Sequence, residues 1–361
     1  MSAIILEMAE MYLAREVAPK ANDIDQSESA LADALEGLKK RKLMALRRPQ
    51  EFGGPGLNEL DFRCYQESVA RYSGSLAFLQ TQHQSAVSMI SKGDNEELKK
   101  AYLPSMADER LVGIGFSQLR RPGEPMLKAT EDKNGFRLTG TVPWVTGHEF
   151  FGEFLIGATL PSGEAVFGVV PFVDTEDNGG AITFDGPMRL AAMETPRTMS
   201  ATATNWYLSK DLTAFIKPGG WIQSNDMINV TLQAWFALGC ARAGLDILYR
   251  AYQKREASFL LEAWSHLSDE LERCRERAMD QSLPEYDRLL ARAWAIDLAA
   301  RCAHAGVASS SGAANSIHHD AQRVYREAMV YTVSAQTQRI MEATLDRLVQ
   351  RGTRPHPQLE K

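Results

Sequence analysis

The stretch KATEDKNGFRLTGTVPWV, residues 128–145, decides the fold because it places a strand pattern between two helical regions. Its Asn134-Gly135 pair lies between runs rich in Thr, Val, Leu and Phe, which is typical of a tight hairpin turn. A second hairpin is predicted over residues 151–172, and the sequence VGIGFSQ at 112–118 predicts a strand before the first one. The middle of the chain is therefore expected to be rich in β-structure.

Helical periodicity precedes this β-rich segment. Leu31, Leu35 and Leu38 recur at intervals of three and four residues, the spacing of one helix face. Asn58 is a suitable N-cap residue and predicts a helix over about 58–72. The first hundred residues are therefore expected to be α-helical.

Helical periodicity also follows the β-rich segment. Residues 225–255, 258–281 and 285–309 each predict a helix, and one last helix is predicted from about 319 to 350. Segregated helices and strands indicate an α+β protein rather than alternating βαβ units.

We expect an N-terminal helical domain (1–110), a middle β-domain (111–215), a C-terminal helical bundle (216–350) and a loose tail (351–361).

Composition excludes several classes of protein. The 361 residues are 44% hydrophobic and carry a net charge of −6, which argues against a nucleic-acid-binding protein. No apolar run is long enough to predict a membrane-spanning helix, and the first residues lack a signal-peptide pattern. Cys64, Cys240, Cys274 and Cys302 form no CxxC pair. Scattered thiols of this kind predict a reduced, cytoplasmic protein.

Five strings resemble motifs of one enzyme family, and they occur in the family's order. They are RPQEFGGPGL (48–57), LKKAYLPSMADERLVGIGFSQ (98–118), PWVTG (143–147), LAAMETPRTMSATATNWYLS (190–209) and AQRVYREAMVYTVSAQTQRIM (321–341). They resemble the acyl-CoA dehydrogenase superfamily of flavoproteins. The resemblance covers nearly the whole chain and implies that superfamily's order of helical, β and helical domains.

The resemblance also implies a flavin site. Phe116 and Ser117 stand where the family's first strand meets the flavin ring, and Trp144 and Thr146 stand where the next strand packs against it. A flavin needs polar donors at its ring edge and a flat apolar wall, and these residue types supply both. FAD is the expected cofactor, with FMN or no flavin left open.

The expected catalytic base is missing. In most relatives a glutamate removes a proton from the acyl thioester, but Thr332 stands at that position and a threonine is no base near neutral pH. In relatives that carry the base on an earlier helix, the matching position is Leu232. A carboxylate from another position, such as Glu327 or Asp246, would have to replace it.

Other family motifs are altered as well. Arg255 is retained from a motif that anchors FAD, but the Phe-Gly that follows in relatives is absent. A glycine-rich turn is replaced by SSSGAANS at 309–316. Arg120 and Arg121 replace small residues in the loop after the flavin strand, where they are candidate ligands for a phosphate or carboxylate.

Three functions follow from these observations. The first is a flavin-dependent oxidoreductase acting on the CH–CH group of an acyl thioester. The second is a flavin-dependent monooxygenase that takes reduced flavin from a separate reductase. The third is a non-catalytic relative that has lost flavin. We expect a homodimer or homotetramer, a small-molecule substrate such as an acyl-CoA, no nucleic-acid or membrane partner and no metal site.

Overall fold

A computed structural model describes residues 2–349, and the chain divides into two compact units, Met1–Ile228 and Asn229–Lys361. The predicted tail at 351–361 lies outside the described residues, as does residue 350. Helices come first, a β-sheet follows and helices end the described range, so the predicted order of elements is confirmed. No helix in the described range is long and apolar enough to cross a membrane.

The first unit begins with amphipathic helices. Leu31, Leu35 and Leu38 are buried along one face, as their spacing predicts. Asn58 caps the fourth helix by accepting a hydrogen bond from the backbone N–H of Asp61 at 2.9 Å, which confirms the helix predicted there. The helices are α1 (Ser2–Tyr12), α2 (Ala21–Gln26), α3 (Glu28–Lys40), α4 (Glu59–Tyr72), α5 (Gly74–Ser91) and α6 (Glu96–Tyr102).

One buried guanidinium holds the glycine-rich turn before α4. Arg48 donates to the carbonyl oxygens of Leu103 and Pro104 at 2.9 and 2.7 Å, and to the Gly53 carbonyl oxygen at 2.9 Å. Glycine is needed at Gly54 because a Cβ there would lie 2.1 Å from the Arg48 carbonyl oxygen. The turn is therefore fastened to the chain that follows α6.

Within the described range, nine strands form one sheet. They are β1 (Val112–Gly115), β2 (Leu127–Asp132), β3 (Gly135–Thr146), β4 (Glu153–Thr159), β5 (Ala165–Pro171), β6 (Thr175–Asp177), β7 (Gly180–Phe184), β8 (Thr198–Ser209) and β9 (Thr213–Lys217). Their order is β6-β7-β8-β3-β2-β4-β5-β9, with β1 parallel to β4. The pairs β2–β3 and β4–β5 are the two predicted hairpins. Helix α7 (Trp221–Ile228) ends the unit.

A buried histidine joins α5 to the start of β1. The backbone N–H of Val112 donates to His83 Nδ1 at 2.9 Å, so Nε2 carries the proton that it donates to the Met106 carbonyl oxygen at 2.8 Å. Burial lowers the pKa of His83 to about 4, which keeps the ring neutral. Beyond it, the rings of Phe116 and Phe167 meet edge to face in the core with centroids 5.6 Å apart.

The second unit consists of helices α8 (Ala234–Arg255), α9 (Ser258–Met279), α10 (Glu285–Ser310), α11 (Asp320–Val333) and α12 (Gln338–Val349). The helix predicted over 225–255 is wrong at its start, because α7 ends at Ile228 and α8 begins only at Ala234. Backbone turns separate them, in which the N–H of Leu232 donates to the Asn229 carbonyl oxygen at 2.9 Å.

The single last helix predicted from about 319 to 350 is also wrong. The chain breaks between α11 and α12, where Ala335 has a positive φ of 45° that a helix does not allow. The buried side chain of Arg292, on α10, donates to the carbonyl oxygens of Ser334 and Ala335 at this break. The break is therefore fixed by a residue more than forty positions away in sequence.

Helices α8 and α10 cross at very short range. A Cβ on Gly244 would lie 2.4 Å from the carbonyl carbon of Cys302, and a Cβ on Gly306 would lie 3.3 Å from the Gly244 carbonyl oxygen. Cys240 and Cys302 are fully buried near this crossing. Small side chains therefore let the two backbones touch.

An ion-pair network joins α9, α10 and α12. Glu270 accepts hydrogen bonds from the guanidinium of Arg301 and from the Trp294 indole, each at 2.8 Å. Asp297 accepts from Arg301 and from Arg347, each at 3.0 Å. The hydrogen bond from Arg301 is the main cause that lowers the pKa of Glu270 from 4.5 to about 2.

Candidate functional site

The end of β1 passes close to the end of β3. A Cβ on Gly113 would lie 3.3 Å from the Thr146 carbonyl oxygen, and a Cβ on Gly115 would lie 3.0 Å from Val145 Cγ2. Larger residues on β1 would push the two strands apart. This approach brings the short 3₁₀ turn that begins at Ser117 towards the segment predicted to form the flavin wall.

Phe116 and Ser117 occupy different environments. The Phe116 ring is 8% exposed and packs in the core, and contact between this residue and a flavin stays a prediction. The Ser117 hydroxyl oxygen is buried and has no hydrogen-bond partner among residues 2–349. A buried hydroxyl left unpaired costs about 1–3 kcal/mol, so this group calls for a partner that the described protein atoms do not supply.

A bulge turns Trp144 outwards. Val142 pairs with Ala201 but Val145 pairs with Met199, which leaves one extra residue on β3 between the two pairs. Such bulges redirect side chains and are frequent beside active sites. Trp144 is 46% exposed. A large apolar side chain left in solvent on a β-strand is a candidate contact for a ligand or a partner.

Thr146 ends the same strand and faces Thr198 on β8. The two are opposite each other in the ladder, and their hydroxyl oxygens are 3.0 Å apart. Thr146 is 5% exposed and Thr198 1%. The sequence predicted both strands but not their register, so the hydroxyl partner of Thr146 was missed.

The chain next to this pair is held by Arg197. Its guanidinium donates to both carboxylate oxygens of Glu28, at 2.9 and 3.0 Å, and to Glu149 at 3.0 Å. The backbone N–H of Gly147 donates to the Pro196 carbonyl oxygen at 2.9 Å. Arg197 and Glu149 both have positive φ, which marks a backbone held in place by these contacts.

His148 follows directly on this segment. Its ring meets the rings of Phe172 and Phe184 with centroids 5.3 and 5.7 Å apart. Burial lowers the pKa of His148, so the ring is neutral near neutral pH. The residue therefore packs as an aromatic side chain rather than as a charge.

The two candidate anion ligands differ in their surroundings. Arg120 donates twice to the carboxylate of Asp226, at 2.6 and 2.8 Å, so its charge is compensated within the protein. Arg121 lines a cavity of about 170 Å³ together with Gln118, Met126 and Trp221. Asp226 is 106 residues from Arg120 in sequence, so no local pattern could have predicted this pair. Anion binding by Arg121 stays a prediction.

The second unit places the residues that were considered as bases. The hydroxyl of Thr332 donates to the Ala328 carbonyl oxygen at 3.0 Å within α11. Glu327 is 1% exposed and accepts a hydrogen bond from Arg323 at 2.9 Å, so it lies in a buried ion pair. Asp246 is partly buried on α8. Thr332 and Glu327 are therefore each hydrogen-bonded to a residue four positions earlier on α11.

Two altered family motifs meet in this unit. The guanidinium of Arg255, at the end of α8, donates to the Ser311 hydroxyl at 3.3 Å, and Ser311 belongs to the segment that replaces the family's glycine-rich turn. His319 caps α11 by accepting from the backbone N–H of Ala321 at 3.1 Å. Among residues 2–349 no group of three His, Cys, Asp or Glu side chains could hold a metal ion.

Comparison with known proteins agrees with this architecture. The family model described as acyl-CoA dehydrogenase, N-terminal domain, matches residues 2–110. The short/branched chain specific acyl-CoA dehydrogenase of Bos taurus is 24% identical over 181 residues, which cover 49% of this chain and 42% of that protein. A probable acyl-CoA dehydrogenase of Mycobacterium leprae is 27% identical over 171 residues, 46% of this chain and 44% of that protein. The matched part spans under half the length of these relatives.

Solved structures match over nearly the whole chain. Butyryl-CoA dehydrogenase from Megasphaera elsdenii has a TM-score of 0.78 and 16% identity, and the match covers 96% of this chain and 98% of that one. A glutaryl-CoA dehydrogenase from Mycobacterium smegmatis in complex with FADH2 has a TM-score of 0.80 and 14% identity, covering 98% and 95%. At these identities the likeness shows the fold.

Proposed function

Because the chain belongs to the acyl-CoA dehydrogenase superfamily, we propose that it is a flavin-dependent oxidoreductase that binds FAD against the end of β1 and the bulge of β3. The observation that carries the proposal is the buried Ser117 hydroxyl, which has no partner among residues 2–349. On β3, whose end approaches β1, the bulge leaves the Trp144 indole exposed. An unpaired donor and an exposed flat ring are the features that a flavin ring requires.

The residues of the wall have separate tasks in this proposal. Ser117 would donate its hydroxyl proton to the polar edge of the ring, and Trp144 would cover part of the ring and keep water away. Thr146 would contribute a second hydroxyl. When bound, flavin supplies hydride or electron transfer, for which protein side chains have no equivalent.

We propose an acyl thioester as the substrate class and its CH–CH group as the position oxidised. Arg121 in the 170 Å³ cavity is the candidate contact for an anionic group of such a substrate. Thr332 would not take the α-proton, since a neutral hydroxyl is a far weaker base than a carboxylate. A monooxygenase that takes reduced flavin from a reductase needs no base at this position, which makes it the second candidate.

A homodimer or homotetramer in the cytoplasm completes the proposal. Tyr325, Met329 and Val333 are 47%, 49% and 57% exposed at four-residue spacing on α11, and Leu345 and Leu348 are more than half exposed on α12. Apolar stripes of this size favour contact with another copy of the chain. The four cysteines form no disulfide within the described range, in keeping with a reducing compartment.

The first experiment measures flavin retention. The protein is incubated with excess FAD and desalted, and its visible absorbance spectrum is recorded. Ser117→Ala is expected to weaken FAD about fivefold, the size of one neutral hydrogen bond, and Trp144→Ala to weaken it further. Ser162→Ala on a hairpin tip and Tyr207→Ala on β8 are the matched controls, and both should bind like the parent protein.

Different outcomes separate the candidates. Loss of flavin colour on anaerobic addition of an acyl-CoA supports CH–CH oxidation. Oxygen-dependent product formation only with supplied reduced flavin supports the monooxygenase. If neither oxidised nor reduced flavin binds the parent protein, the flavoenzyme proposal is wrong and a non-catalytic role remains.

A further inference from the structure

The hydroxyl pair Thr146–Thr198 has one more proton than its hydrogen bond uses. The oxygens are 3.0 Å apart, and either hydroxyl could be the donor. Each threonine carries one hydroxyl proton. Within residues 2–349 neither hydroxyl makes another hydrogen bond, so one proton of the pair is left without an acceptor.

Burial decides which of the two hydroxyl protons is left without an acceptor. Thr198 is 1% exposed, so an unbonded proton there would be sealed inside the sheet, at a cost of about 1–3 kcal/mol. Thr146 ends β3, two residues beyond the exposed Trp144. The cheaper arrangement therefore has Thr198 donating to Thr146, which leaves the Thr146 proton free for a partner outside the pair.

We propose that Thr198 is a positioning residue, which donates to Thr146 and thereby fixes the Thr146 hydroxyl as a hydrogen-bond donor to the bound flavin. The inference rests on the proposed function, because the acceptor is a nitrogen or carbonyl oxygen of the flavin ring. Without Thr198 the Thr146 hydroxyl rotates freely and loses part of its preference to donate outwards.

The surrounding chain makes this positioning rigid. Arg197 precedes Thr198, and its guanidinium donates to both Glu28 and Glu149. The Gly147 and His148 N–H groups both donate to the Arg197 carbonyl oxygen at 3.3 Å. Hydrogen bonds therefore join the end of β3 to the start of β8 directly beside the hydroxyl pair.

The test compares five variants with the parent protein by FAD dissociation constant, visible spectrum and midpoint potential of the bound flavin. Thr198→Val removes the donor at nearly constant volume, and Thr198→Ser keeps it. Thr202→Val is the matched control, because Thr202 lies on the same strand opposite Thr141. The last two variants are Thr146→Val alone and the double variant that combines Thr198→Val with Thr146→Val.

We expect Thr198→Val to weaken FAD about threefold to tenfold and to shift the spectrum and potential, while Thr198→Ser and Thr202→Val leave all three unchanged. The double variant should resemble Thr146→Val, because the two residues act through one hydroxyl. A Thr198→Val protein that is folded and binds FAD with the parent's affinity and potential overturns the inference alone. A parent protein that binds no flavin overturns the proposed function and the inference together.

Discussion

Replacement of Glu270 by Gln should measure how strongly the ion-pair network holds the second unit together. The pKa of Glu270 falls from 4.5 to about 2, mainly through its hydrogen bond from Arg301. Each unit of pKa difference corresponds to about 1.4 kcal/mol, which sets an upper limit of roughly 3 kcal/mol. The side chain is 22% exposed and partly screened by water, so we expect Glu270→Gln to lose about 2 kcal/mol near neutral pH.

The pH dependence of unfolding shows whether the Glu270 carboxylate stabilises the second unit. A lowered carboxyl pKa adds stability that is complete above the unfolded value of 4.5 and is lost as pH falls through the folded value of about 2. Urea unfolding of parent and variant should therefore differ most near neutral pH, and by about half as much near pH 3. The control is Glu276→Gln, an exposed carboxylate on the same helix. The reasoning is refuted if Glu270→Gln and Glu276→Gln unfold alike, or if their difference does not shrink in acid.

Three further predictions concern packing and assembly. Gly244→Ala should cost about 1–3 kcal/mol or more in urea unfolding, because its Cβ would meet Cys302 at 2.4 Å, whereas Gly312→Ala, which has open space, should change little. Arg48→Met should lose about 3 kcal/mol in the same assay, since three carbonyl oxygens lose a charged donor, and an unchanged midpoint would contradict the role given to this side chain. Leu345→Glu should reduce the mass measured by sedimentation towards that of one chain, and an unchanged mass would remove α12 from the proposed interface.

Local sequence patterns predicted those structural features that depend on residues adjacent in the chain. Asn58 caps its helix and the predicted hairpin forms, because each depends on a few adjacent residues, but the two-residue turn lies at Lys133-Asn134, one position before the predicted Asn134-Gly135 pair. The order of helices, sheet and helices followed from the same patterns. The resemblance also named Ser117 and Trp144; the structure shows an unpaired buried hydroxyl and an exposed indole at these positions, and their contact with a flavin stays a prediction.

Contacts between distant residues were not predictable in this way. Arg292 breaks the last helix from a position in another helix, and Asp226 neutralises Arg120 from 106 residues away. The register that places Thr198 beside Thr146 depends on how two strands pair across the sheet. Each of these features is fixed by tertiary packing, which the spacing of residues in one segment does not contain.

The three hydrogen bonds that Arg48 donates to backbone carbonyl oxygens should resist acid. Its acceptors are backbone carbonyl oxygens, which do not take up a proton in the range where carboxylates do, and the guanidinium keeps its charge. Acid that protonates the carboxylates of the network around Glu270 therefore leaves these hydrogen bonds of Arg48 intact. The glycine-rich turn before α4 should keep its shape at acidities where the helix contacts of the second unit have begun to loosen.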